Sequence, residues 1–163
     1  MTDDVERFAA LVGARGRLLG LDLGTKTVGL AISDVERRIA TPRNTLKRSK
    51  YAALQNDLSD IVSREAIVGL VLGLPKNLDG SVGPRVQATR AFARNLIADL
   101  AIPILFWDER LTTVEAERLL IAADTSRKRR AEVIDAVAAA LILQGAIDRL
   151  SMLGSAIVDD EHL

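Results

Sequence analysis

Three acidic residues stand where a packed chain should not tolerate them. Asp22 interrupts GRLLGLDLGTKTVGL, an apolar run that reads as a strand covered on both faces. Side chains alternate along a strand, so Asp22 shares its face with Gly20 and Gly24, which would leave open space above the carboxylate. Glu109 closes the apolar run ILFWDE at its C-terminal end, the end at which open α/β sheets build their sites, while Asp108 points to the opposite face. Asp135 falls in a helical pattern with Ala131, Ala138, Ala139 and Ile142, a stripe small enough for the helix to approach a sheet closely.

A buried unpaired carboxylate costs several kcal/mol, and converging carboxylates raise one another's pKa values. A divalent cation removes both difficulties. The chain has no cysteine, and its only histidine, His162, is second from the end. Oxygen ligands alone point to a hard ion, Mg²⁺ or Mn²⁺, whose shell a substrate phosphate commonly completes. No Ser or Cys stands in the setting of an activated nucleophile. Each acid also has a plainer reading: a strand-end cap for Glu109, an ion pair with Arg118 or Arg130 for Asp135. Asp22 is the hardest to explain so, because strand interiors are poor in Asp.

The elements that must position these acids follow from periodicity. Residues 18–24 and 27–34 read as a hairpin, and a third extended piece between Ile39 and Leu46 is interrupted near Pro42, an edge feature. Residues 50–64 are helical in pattern, with Leu54, Leu58, Ile61 and Val62 on one face. AIVGLVLGLP is a second buried strand, KNLDGSVGP a loop, Val86–Leu100 a helix, and residues 102–109 the next strand. Thr112 and Glu115 have the form of a capping box that opens a helix to about Ala123. TSRKRR is a basic connection, and the last helix spans Ala131–Leu150. The order predicts an α/β domain with a five-stranded mixed sheet and helices on both faces, over residues 16–150. Residues 1–15 form a leader whose Val5, Phe8 and Leu11 or Val12 could dock as a helical turn, and residues 151–163 a loosely held tail.

Composition sets the bounds. With 163 residues, 48% hydrophobic and 27% charged, one packed domain is expected, and at 3% aromatic its core must be aliphatic. Formal net charge is zero, so any nucleic-acid binding must use local patches. No apolar run reaches membrane-span length, and the acidic start MTDDVERFAA lacks the order of a secretion signal; with the missing cysteines this fits a cytoplasmic protein.

GLDLGTKTVGLAISD, VLGLPKNLDGS, WDERLTT, and a basic link followed by DAVAAALILQ resemble, in that order, the YqgF or RuvX-like family of Holliday junction resolvases and pre-16S rRNA nucleases. The resemblance runs from about Gly16 to Leu150. It implies a ribonuclease H-like fold with the first strand central, and it puts the family's acids on Asp22, Glu109 and Asp135. The mechanism it suggests is cleavage of a phosphodiester by two divalent ions, with Asp22 shared between them and Glu109 and Asp135 on either side. Backbone contacts would come from Lys76 and Asn77, from Arg110, and from Arg127, Lys128, Arg129 and Arg130. The cluster Lys47, Arg48 and Lys50 reads as solubility, and Trp107 as core.

The family's link to ribosomal RNA precursors favours RNA over a DNA junction. A resolvase would need two active sites, so the sequence leaves monomer and homodimer both open. Two rivals remain: a sugar-kinase-like reading of LDLGT, which needs a second large domain that this length does not hold, and a non-catalytic assembly or transcription factor on the same fold.

Overall fold

A computed structural model describes residues 1–77, 79–111, 118 and 127–161; for 127–132 and 155–161 it describes the main chain only. The expected capping box at Thr112 and Glu115 lies outside the described residues.

Strands β1 (Arg17–Leu23) and β2 (Thr27–Ser33) form the expected hairpin, with Asp22 directly opposite Gly29. The third extended piece is two short ones, β3 (Ala40–Pro42) and β4 (Leu46–Lys47), both paired to β2. Proline has no N–H to continue a ladder, so the chain leaves the sheet after Pro42 and rejoins it at Leu46. Among the described residues the sheet therefore has six strands rather than five, in the order β3-β2-β1-β5-β6 with β4 beside β2. Helix α2 (Tyr51–Arg64) leads into β5 (Ile67–Leu74), and α3 (Pro84–Leu100) into β6 (Ile104–Asp108); both strands run parallel to β1. Helix α3 starts before Val86 because Pro84 takes its first position, where a fixed φ and a missing N–H cost nothing.

Alternation sorts the side chains onto two faces. Leu19, Leu21, Leu23, Leu70, Leu72 and Phe106 pack with Leu54, Leu58, Phe92 and Leu96 of α2 and α3. Leu18, Ala31, Val71, Leu105 and Trp107 pack on the other face, under Ala138, Ala139, Ile142 and Leu143. The latter belong to α4 (Arg127–Glu161), whose main chain is helical from the basic run onward. Residues 127–130 are thus the opening turn of this helix, not part of a connector; Arg and Lys are good helix formers, and the apolar pattern of the sequence marks only the part that packs. Among the described residues no helix is long and apolar enough to cross a membrane.

The N-terminal residues are part of the core. Helix α1 (Val5–Val12) is capped by Asp4, which accepts from the N–H groups of Glu6 and Arg7, and it buries Phe8 and Val12; Leu11 stays exposed. Arg37 fastens its other end. The buried guanidinium donates to the carbonyls of Gly13 and Gly16 at 2.7 Å and of Val12 and Arg15 at 3.0 Å. Those four bonds hold Arg37 at a φ of 56°, a left-handed conformation unusual for a long side chain.

Candidate active site

Asp22 lies near the C-terminal end of the central strand, 2% exposed. The space above it is not open, as the glycine pattern suggested. Helix α4 fills it. A Cβ on Gly20 would stand 2.7 Å from the Leu143 side chain, and a Cβ on Gly29, across the ladder from Asp22, would run into the carbonyl of Asp135. The helix main chain therefore lies on the sheet at the place where Asp22 faces it. Asp135 arrives there with its side chain half buried, and it accepts a hydrogen bond from the Thr27 hydroxyl and another from the Asp22 carboxyl.

Glu109 begins a short 3₁₀ turn (Glu109–Leu111) directly after β6 and is 9% exposed. It comes from two strands away and reaches toward Asp22 across β5 at Gly73; a Cβ on that residue would meet Glu109 Oε1 at 2.8 Å. The structure thus brings the three sequence-predicted acids together, by one strand, one strand-to-turn junction and one helix.

A cation joins two of them. Arg118 Nη2 donates to Asp22 Oδ1 at 2.9 Å, and Arg118 Nη1 donates to Glu109 Oε2 at 3.0 Å. Sequence alone offers Arg118 as an ion-pair partner for Asp135; in the structure it pairs with the other two acids. Burial pushes the Asp22 carboxyl up to about 7, with the charges of Glu109 and Asp135 adding to the rise and Arg118 opposing it. Burial likewise raises Asp135, against hydrogen bonds from Thr27 and Asp22 and the charges of Arg118 and Arg85. A carboxyl that holds its proton beside an ionised neighbour is the expected state of a crowded pair.

Among the described residues no group of three acids is arranged to hold a metal ion as it stands; the Arg118 guanidinium bridges Asp22 and Glu109. The donor set nonetheless suits a hard divalent ion: buried carboxylate oxygens, no thiolate, and a positive charge already needed between them.

The expected backbone contacts divide into three groups. Lys76 is half buried, close enough for its charge to lower the Asp108 carboxyl. Asn77 Nδ2 donates to Ser81 Oγ at 2.9 Å, so this side chain closes its own loop. Arg110 holds Asp108, with Nη2 donating at 2.6 Å, and lies against Gly80 of the same loop. The side chains of Arg127, Lys128, Arg129 and Arg130 lie outside the described residues, but their main chain opens α4 at the end that carries Asp135. Trp107 is buried, as expected. Thr27 and Arg118 are site residues the sequence reading did not find. Thr27 looked like an ordinary strand start, and Arg118 follows no spacing rule relative to Asp22.

Known proteins share this fold. Ydc2, a yeast mitochondrial Holliday junction resolvase, superposes with a TM-score of 0.54 at 13% identity over 92% of this chain and 87% of that one. Thermus thermophilus RuvC, solved with a Holliday junction substrate, gives 0.52 at 14% identity over 83% of this chain and 96% of that one. At such identity they establish the fold, that of RuvC-like, ribonuclease H-type resolvases. Sequence relatives are much nearer. Proteins named "Putative pre-16S rRNA nuclease" are 60% identical in Cereibacter sphaeroides (93% of this chain, 95% of the relative), 59% in Paracoccus denitrificans (93% and 96%) and 54% in Rhizobium johnstonii (91% of each). A family model described as "RuvX: Holliday junction resolvase" matches residues 16–149, the span that contains every strand of the sheet and all three acids. By that match and those relatives, the chain belongs to the RuvX family.

Proposed function

We propose that this protein is a divalent-metal-dependent nuclease that hydrolyses phosphodiester bonds in structured RNA, with the 5′ end of pre-16S rRNA as its substrate. The observation that carries the reading is the convergence of Asp22, Glu109 and Asp135 at the C-terminal ends of the parallel strands, two of them already sharing one cation. Near relatives named for pre-16S rRNA cleavage supply the substrate class, and the family's description supplies the alternative, a four-way DNA junction.

Asp22, Glu109 and Asp135 are the residues that would hold the ions, with Asp22 as the central acid. Bound Mg²⁺ or Mn²⁺ supplies an activated water and offsets charge on the phosphate. The protein's own groups do the rest. Helix α4 holds Asp135 against β1 and β2, and Thr27 fixes its rotamer. Arg118 neutralises Asp22 and Glu109 until an ion takes that place. The main chain of the basic run opens α4 at the end that carries Asp135, and arginines and lysines in such a place would meet phosphates. Cleaving a precursor needs one such site, so a monomer suffices; resolving a junction symmetrically would require a homodimer.

The test is incubation of the purified chain with pre-16S rRNA, duplex DNA and four-way DNA junctions, with Mn²⁺ and with chelator. Mn²⁺-dependent cutting of the precursor RNA, lost in Asp22→Asn with the melting profile retained, is the expected result. Preferential cutting of junctions would move the substrate to DNA. Cleavage by Asp22→Asn at the wild-type rate would remove the metal site as assigned.

A further inference from the structure

Two exposed arginines beside the acids rest on main-chain carbonyls alone. Arg48 follows β4, and its main-chain N–H donates to Lys26 O at 2.8 Å. Its Nη1 donates to Gly24 O at 2.7 Å. Arg85 stands in the first turn of α3 and donates through Nη2 to Leu23 O at 3.4 Å. Leu23 and Gly24 are the two residues directly after Asp22, so both guanidinium groups rest on the end of the central strand, about 7 Å of chain or less from the buried acid.

Arg15, Arg17, Arg43, Arg90 and Arg118 each hold a carboxylate. Neither Arg48 nor Arg85 has a carboxylate within ion-pair distance among the described residues, and both are exposed. Each guanidinium carries five N–H donors and spends one on a carbonyl. The remaining donors form a positive fork at the rim of the acid cluster, anchored by main chain that the sheet keeps rigid. Arg85 is near enough for its charge to act on Asp135. Anchored guanidinium groups with open donors match the two-oxygen face of a phosphodiester.

The geometry points to Arg48 and Arg85 as a backbone-phosphate subsite that holds the phosphodiester neighbouring the one presented to Asp22, Glu109 and Asp135. This inference rests on the nuclease reading above and adds the residues that set the strand's register over the acids. Because the contact is to phosphate, it strengthens binding of every sequence equally and does not choose among bases.

The experiment measures binding without cleavage. Full-length protein carrying Asp22→Asn is titrated, by fluorescence anisotropy over a salt series, onto a labelled RNA hairpin with a 5′ single-stranded extension and onto a labelled four-way DNA junction. Added Arg48→Gln or Arg85→Gln is expected to weaken binding roughly three- to tenfold at physiological salt, and to lower the slope of log affinity against log salt by about one for each arginine removed. Arg48→Lys and Arg85→Lys are expected to restore most of the slope, which a folding defect would not allow. Glutamine variants with wild-type melting that keep the full slope would overturn the subsite and leave the nuclease reading intact. An Asp22→Asn parent that binds neither probe would overturn both.

Discussion

Arg118 reaches Asp22 with an N–H···O distance of 2.9 Å, from a part of the chain that the sequence places nowhere near it. Its second N–H, on Glu109, makes the guanidinium a bridge between two buried carboxylates. The same gap is the one a divalent ion would take. Replacing Arg118 with methionine therefore has opposite effects on the two states. Without metal, Asp22 and Glu109 lose their counter-charge, and stability at pH 8 falls by about 3–5 kcal/mol. With the competitor gone, Mn²⁺ binds about tenfold tighter, as calorimetric titration would read directly. Weaker Mn²⁺ binding by Arg118→Met would mean that the arginine supports the ion and does not compete with it.

Asp22 makes the metal-free protein sensitive to pH in an uncommon direction. Its carboxyl is held near 7 in the folded chain, mainly by burial, against the ordinary carboxyl value of 3.8. Between those values the folded state binds the extra proton, so stability is greatest in acid and falls as pH rises toward 7. The loss is at most about 1.4 kcal/mol for each pH unit in that window. Asp22→Asn has no such proton to lose. Urea unfolding in chelator at pH 5, 6.5 and 8 is expected to show the variant gaining on wild type as pH rises.

Thr27 does for Asp135 what a neighbouring ligand-orienting group does in metal sites generally. Its hydroxyl donates to Asp135 Oδ2 and so orients that carboxylate. Thr27→Val keeps the shape and removes the donor. Mn²⁺ affinity is expected to drop about 10- to 100-fold with little change in melting temperature. Thr27→Ser, which keeps the hydroxyl, should recover most of it; equal loss in both variants would show that the methyl group matters and the hydroxyl does not.

Gly29 is a packing requirement of the active site, although it carries no chemistry. A methyl group there would meet the Asp135 carbonyl and force α4 away from the sheet. Gly29→Ala is expected to cost about 1–3 kcal/mol of stability and to abolish Mn²⁺ binding. Gly154, on the same helix with nothing within 4 Å of an added Cβ, is the control: Gly154→Ala should be neutral or stabilise by up to about 1 kcal/mol. Equal effects at the two positions would detach the site from the close approach of α4.

Much of this was written locally. The apolar runs around Leu21, Leu72 and Phe106 name the buried strands, and alternation puts Asp22 and Glu109 on the face that α4 covers. The stripe at Ala138, Ala139 and Ile142 predicts a helix able to lie close, and those residues are fully buried under it. Less legible were the ends of elements. Pro42 divides the third strand into two pieces, and the packed stripe of α4 gave no sign that the helix begins at the basic run.

By itself the sequence determined which residues are acidic, apolar or small, and, through periods of two and of about three and a half residues, which face of each element they occupy. That was enough to bring forward Asp22, Glu109 and Asp135. Only the tertiary structure decided their company: Arg118 between two of them, Thr27 on the third, Arg48 and Arg85 on the carbonyls beyond Asp22, and Asn77 turned inward to its own loop. Periodicity is a local property of the backbone, whereas the partner of a buried charge is set by distances between elements that meet only when the sheet and α4 pack together.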